Sequence, residues 1–479
     1  MLTKEDNEIF KLILEEYFGY EIDINHNPNN GIVIDGEVPS FVFSAFESDF
    51  LHPLVLANEY ISKYLENEIN YPLNPQFITE QISLSLLNSG DDDDNKALSD
   101  FVQCLKDMSI KTYESKPAEV LIVFFPNDLS EENNEFFNEM GIEYLPFDSH
   151  IKLRDLFEHD KLSRIMLNGN ALALLVNKDY SIMGLLRKKN SKSIKELLLN
   201  ELRKYDLQAS KLIIKEYFKA VLEKPEVDES IRKFVKEKLV SLDNGAEKLV
   251  ETRPPYELIY INKRRINWYM YSDYYLSIYN GKWKLKNHLL FKQSLFELLF
   301  MVQEKHLVQI ILYDIVEPES NMLDYFLSSI AKLAEFIKEM SEDNTGALFI
   351  ILPTRHKKYI LNKSFSKRGI KFPRGFVLNP SSIHFENIIF TKENKTMTVN
   401  NVDTDLFKQL ASVDGAVILD SHFNILTFNK LTNSKGTDPM VQGARTAAAI
   451  SASKYGVAIK VSEDGDIDMY YREKKMLSI

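Results

Sequence analysis

Cysteine is almost missing from this chain. Cys104 is the one thiol in 479 residues, so neither a disulfide framework nor a cysteine-ligated zinc site can be built. A reducing, cytoplasmic setting is expected. Glycine is scarce as well: its 17 residues are about half the usual share of ~7%, so a glycine beside a polar cluster is informative. Positive charge is not in excess. The 58 Lys and Arg face 70 Asp and Glu, a formal charge of −12, which argues against a protein built to grip nucleic-acid backbone or an anionic membrane surface. No apolar run approaches the ~18 residues of a membrane span; Val120–Phe125 and Ala347–Leu352 have strand length. The opening MLTKEDNEIFKLILEEYFGY mixes acids with apolar residues and reads as an amphipathic helix, not a signal peptide. Neither a P-loop Gly-x-x-x-x-Gly-Lys nor a His-Glu-x-x-His is found. What remains is an ordinary globular mixture, 44% hydrophobic and 27% charged, long enough for two to four domains at ~100–200 residues each.

Periodicity divides the chain. Helices are expected over Glu5–Phe18 and Phe77–Leu87, with strands at Gly31–Ile34 and Phe41–Phe46 and a solvated acidic loop at Asp91–Asp94. The apolar run Val120–Phe125, a helix opened by Ser130 and ended by Gly141, and Ile142–Leu145 form a βαβ unit. Strands follow at Ala171–Val176 and Ile182–Leu186, then long helices over Ser193–Leu222 and Glu226–Leu242. The segment from Asp243 to Pro255 reads as a linker. Residues 256–300 are aromatic and strand-rich, with Asn280-Gly281 as a hairpin turn. The expected organisation is an α/β region over 1–250 that senses a signal or mediates assembly, a strand-rich connector over 255–320, and a third domain over 321–479.

The chemistry gathers in that last third. Leu323, Leu327, Ile330, Leu333, Ala334 and Ile337 line one face of a helix over 322–340. Strands follow at Ala347–Leu352, at Val413–Leu419 and, as its hairpin partner, at Asn424–Phe428. Gly443-Ala444-Arg445-Thr446 then opens an Ala-rich helix that ends at Gly456, and Val457–Ser462 is the next strand. Gly443 lets backbone approach closely where free helix amides carry partial positive charge. Arg445 can fork onto phosphate oxygens and Thr446 can add a hydroxyl. Asp414 and Glu463 sit at the ends of strands that can be neighbours, so their carboxylates can share a divalent metal, and hard oxygen ligands favour Mg²⁺ or Mn²⁺.

Asp414-Gly415-Ala416, the Gly443-Ala444-Arg445 helix opening and Val461-Ser462-Glu463, in this order, resemble the diadenylate cyclase domain, and Gly346-Ala347-Leu348 after the 322–340 helix resembles that domain's opening. The resemblance covers about 320–479. It implies an α/β fold, a mixed sheet with flanking helices, preceded here by an α/β N-terminal region. It also implies an activity: two such domains, each holding one ATP, meet face to face in a homo-oligomer, and each 3′-hydroxyl attacks the other ATP's α-phosphate to give cyclic di-AMP and two pyrophosphates. On this resemblance Asp414 and Arg445 are catalytic. Gly415 and Ala416 lie against the nucleotide. Gly443, Ala444, Arg445, Thr446 and Ser462 bind it, and Asp414 with Glu463 holds the metal. The chain departs from the family's usual Gly-Thr-Arg-His-Arg, carrying Thr446 and Ala447 at the last two positions. One cationic phosphate ligand is therefore missing unless Lys430, Lys435 or Lys454 replaces it. The alternative reading is a nucleotide-binding regulator on a degenerate cyclase domain.

Overall fold

The computed structural model describes residues 4–19, 22–27, 31–36, 74–87, 92–125, 131–159, 162–189, 191–223, 227–246, 255–270, 273–353, 376–378, 397–432 and 443–479. The strand expected at Phe41–Phe46 and the candidate cation Lys435 lie outside them. The chain divides into two compact units, one of Met1–Ile214 with Leu242–Leu289 and one of Lys215–Ser241 with Leu290–Ile479. Both are mixed α/β. Among the described residues no helix is long and apolar enough to cross a membrane.

The first unit begins with α1 (Lys4–Phe18), whose heptad-like spacing buries Phe10, Leu14 and Tyr17. The antiparallel pair β1 (Ile22–Asn27) and β2 (Gly31–Gly36) follows, then α2 (Pro75–Leu87) and α3 (Asp92–Ile110). The acidic run is therefore not a loop. Asp92–Asp94 form the first turn of α3, where the helix dipole favours negative charge. After the short hairpin β3 (Thr112–Tyr113) and β4 (Lys116–Pro117) come β5 (Val120–Phe124), α4 (Glu131–Glu139), β6 (Ile142–Lys152), α5 (Leu153–His159), α6 (Ser163–Met166), β7 (Leu172–Val176) and β8 (Ser181–Lys188). Helices α7 (Ile194–Glu223) and α8 (Glu229–Ala246), whose stretch Lys215–Ser241 belongs to the second unit, precede β9 (Glu257–Asn262), β10 (Arg265–Tyr269), β11 (Tyr274–Tyr279) and β12 (Lys282–Asn287). Residues 243–246, expected in a linker, are the last turn of α8.

One sheet collects these strands in the order β12-β11-β10-β9-β5-β7-β8-β6. The expected βαβ unit is present, but β7 and β8 lie between its two strands. The strands expected in a connector complete this sheet, with β9 antiparallel to β5. The turn between β11 and β12 has Asn280 at φ 51° and Gly281 at φ 75°, the left-handed pair a tight hairpin needs.

In the second unit α9 (His288–Val302) and, one residue later, α10 (Glu304–Val316) lead through a 3₁₀ turn into α11 (Met322–Glu342). Asn321, at the start of α11, offers no side-chain cap. The buried carboxylate of Asp314 on α10 does that work from a distance, accepting from the amides of Met322 and Leu323 at 2.9 Å each and from the Ser320 hydroxyl. After α11 come β13 (Ala347–Ile351), β14 (Phe376–Leu378), α12 (Thr404–Ser412), β15 (Ala416–Leu419), β16 (Ile425–Thr432), α13 (Ala444–Ser453), β17 (Val457–Val461), β18 (Ile467–Tyr471) and β19 (Lys474–Ser478). Their sheet runs β14-β16-β15-β13-β17-β18-β19, with β15 parallel and β17 antiparallel to the fully buried β13. The alanines of α13, Ala449 and Ala452, pack with Leu348, Ile350, Ile418 and Ala458 on one face. On the other, Phe349 of β13 and Phe336 of α11 enclose Phe407 of α12 at ring distances of 5.8 and 4.7 Å.

Two substitutions test this frame. Asp314→Ala strips the amides at the start of α11 of their acceptor and is expected to cost about 1–3 kcal/mol in denaturant unfolding. Glu297 on α9 has a carboxyl oxygen with no hydrogen-bond partner among the described residues, and burial pushes its pKa up to about 8. The folded chain then keeps a proton that the unfolded chain releases, so this group's contribution falls as pH rises from the ordinary carboxylate value toward 8. Glu297→Gln removes that slope: its Tm should gain on the parent's between pH 5 and pH 8, and a constant offset would refute the assignment.

Candidate functional site

Strand direction sets the site. Because β15 runs with β13 and β17 runs against it, the residues just before β15 and just after β17 emerge at the same end of the sheet, on either side of the start of β13. The first of these is Asp414 and the second Glu463. Helix α13 begins at that end as well. Its Gly443 has φ 89° and ψ 137°, a backbone that suits glycine, and as the N-cap residue it offers the helix no side-chain cap. The first-turn amides, which have no partner within a helix, stand beside Arg445.

Arg445 joins the three segments. Its Nη1 donates to Glu463 Oε1 at 3.1 Å, and its Nη2 stands 3.7 Å from Asp414 Oδ1. The Arg445 side chain is 30% exposed, whereas those of Asp414 and Glu463 are 92% and 78% exposed. Both acids therefore keep most of their hydration and are open to a ligand. Ion pairs this exposed are worth ~0–1 kcal/mol each, so exchanging them costs little.

The other expected residues divide. Thr446, the third residue of the helix, is half-buried, and Ala444 is exposed at its mouth. Ser462 closes the turn that carries Glu463: its hydroxyl accepts from the Asp466 amide at 2.9 Å and its amide donates to the Asp466 carbonyl at 2.8 Å. Gly415 is half-buried with φ 112°. Ala416, expected against the nucleotide, is fully buried in the core cluster under α13. Lys454 lies at the far end of α13, paired with Glu473 at 2.8 Å, and so does not stand in for the missing cation at the helix mouth. The side chain of Lys430 is outside the described residues.

Two further contacts hold the acids in place. The Ser341 hydroxyl, in the last turn of α11, donates to the Gly465 carbonyl in the Glu463 turn. Lys408 of α12, six residues before Asp414, binds Glu339 at 2.6 Å and Asp343 at 3.6 Å at the same end of α11. Sequence reasoning did not mark Ser341 or Lys408, since neither belongs to a motif. It also did not assign a site role to Gly346, directly beneath the Arg445 guanidinium; a glycine at the start of a strand in a glycine-poor chain was the available signal.

Among the described residues no three or more His, Cys, Asp or Glu gather into a cluster that could enclose a metal unaided. Two exposed carboxylates nevertheless fit Mg²⁺ or Mn²⁺, because such ions commonly take one or two carboxylates and fill the rest of the shell with water and substrate phosphates.

No model of a known protein family matches the sequence, and no curated protein matches it. Solved structures offer weak likenesses. One is the crystal structure of DacA from Staphylococcus aureus, a cysteine double mutant, at 18% identity over 32% of this chain and 87% of that one, with a TM-score of 0.21. Another is a hypothetical membrane spanning protein from Bacillus cereus, at 16% identity over 40% of this chain and 93% of that one, with a TM-score of 0.20.

Proposed function

We propose that the second unit binds ATP with Mg²⁺ or Mn²⁺ at the mouth of α13, and that two copies facing each other condense two ATP into cyclic di-AMP. Each 3′-hydroxyl attacks the partner nucleotide's α-phosphorus, the bond from that phosphorus to the bridging oxygen of pyrophosphate breaks, and the hydroxyl proton passes to solvent. The observation that carries this reading is the convergence of Asp414, Arg445 and Glu463 from three separate segments beside an uncapped helix start. Asp414 and Glu463 would hold the metal, which when bound neutralises phosphate charge. Arg445 would exchange its carboxylates for phosphate oxygens, a bidentate match that its planar fork suits. Gly443 and the first-turn amides would face the same anion, and Thr446 would add a hydroxyl. The chemistry asked of the protein is positioning and charge stabilisation. The eight-stranded unit is left for sensing or assembly.

A second reading is nucleotide binding without turnover. It is favoured by Thr446 and Ala447 after Arg445, together with the placement of Lys454 at the opposite end of the helix.

Incubation with ATP and Mn²⁺ followed by mass spectrometry separates the two: cyclic di-AMP supports turnover, and bound but unchanged ATP supports the second reading. Asp414→Asn is expected to lower product formation at least ~100-fold with an unchanged circular-dichroism spectrum; parental activity in that variant would remove Asp414 from the mechanism. Arg445→Ala should weaken ATP binding ~10–100-fold, the loss expected for one charge-assisted phosphate contact. Its Tm should stay within ~3 °C of the parent's, because the two ion pairs it breaks are exposed. Unchanged ATP affinity would remove Arg445 from the site.

A further inference from the structure

Two glycines approach β13, for different reasons. Gly456, after α13, runs so close to the strand that a Cβ there would lie 2.0 Å from the Ile351 carbonyl oxygen and 3.0 Å from its carbon. No rotamer change relieves a clash with main chain, so the fold itself demands Gly456. Gly346 lies just before the first residue of β13. A Cβ there would meet Arg445 Nη1 at 2.1 Å, Cζ at 2.7 Å and Nη2 at 3.2 Å. The three nearest atoms all belong to one guanidinium. Nor does φ require glycine: Gly346 is not among the positive-φ residues, so its backbone is open to alanine.

We propose that Gly346 is a positioning residue for Arg445, its bare Cα forming the seat on which the guanidinium lies. The seat fixes where the fork points, between Asp414 and Glu463. This deepens the reading of Arg445 as a phosphate ligand and depends on that reading only for what the fork grips. A methyl group at 346 would be accommodated by the flexible end of the arginine, not by the strand. The fold is then kept while the fork is re-aimed, and a misplacement of ~1 Å in a binding or catalytic group can cost ~100-fold. Glycine here serves the site, whereas Gly456 serves the fold.

The test is a double-mutant cycle on the full chain with Gly346→Ala, Arg445→Ala and the double variant, and Gly456→Ala as the comparator. In the Arg445→Ala background Gly346→Ala should raise Tm by about 1–4 °C, because alanine restricts the unfolded chain and meets no obstacle in the folded one. With Arg445 present that gain should vanish or reverse. Equal Tm shifts in the two backgrounds would overturn the seat, as would unfolding of the double variant, which would mean that the backbone demands glycine. Gly456→Ala should lower Tm in both backgrounds. Isothermal titration with Mg·ATP is the second readout. Gly346→Ala should weaken binding about 10-fold alone and not at all once Arg445 is alanine; additive losses would overturn the seat while leaving the nucleotide reading intact. A parent protein that binds no Mg·ATP would end the nucleotide reading, and the Tm cycle would then decide the seat by itself.

Discussion

A guanidinium lies over a bare Cα with a carboxylate on either side, and the second unit is arranged around that meeting. Arg445 comes from a helix, Gly346 from the entry to a central strand, and Asp414 and Glu463 from loops flanking that strand. Long-range ion-pair strength does not bring them together, because exposed pairs contribute little. The sheet does. A buried β13 with a parallel neighbour on one side and an antiparallel one on the other delivers one chain entry and one chain exit to the same end. The small side chains of α13 then let the helix settle close to the sheet, which brings its first turn within reach of both acids.

Such a site is partly neutralised before any ligand arrives, one guanidinium facing two carboxylates. The guanidinium and the two carboxylates partially satisfy one another, so none is left bare in a partly dehydrated place. On the proposed function, a polyanion entering with a divalent cation would exchange partners with the trio: the anion would take the arginine and the cation the acids. Because the acids are largely hydrated at the outset, each has to shed part of that water to take a ligand.

Much of this unit was legible in the sequence. Six apolar positions at helical spacing marked α11, and all six are buried. The unbroken run Ala347–Leu352 marked a strand covered on both faces, and each of its residues is buried. Asp414 and Glu463 were expected at the ends of neighbouring strands, but β13 lies between β15 and β17, and what the two acids share is Arg445. Neighbour choice was not legible. Nothing local in Val120–Phe125 or Ile142–Leu145 says that two other strands will separate them, because strand order is decided by non-local pairing and covering helices. Ala416 reads as an open position only while the strand's facing is unknown; the first residue of β15 turns inward. Lys454 is close to Arg445 in sequence but more than two turns away along a helix, and periodicity alone does not say which end faces the ligand. Asp92–Asp94 misled because a run of acids suits either a solvated loop or the positive end of a helix.

The last turn of α11 anchors both acid-bearing loops. Ser341 ties it to the turn holding Glu463, and Glu339 and Asp343 tie it to the helix that ends just before Asp414. The two carboxylates therefore share one mechanical reference, although they come from opposite flanks of the sheet.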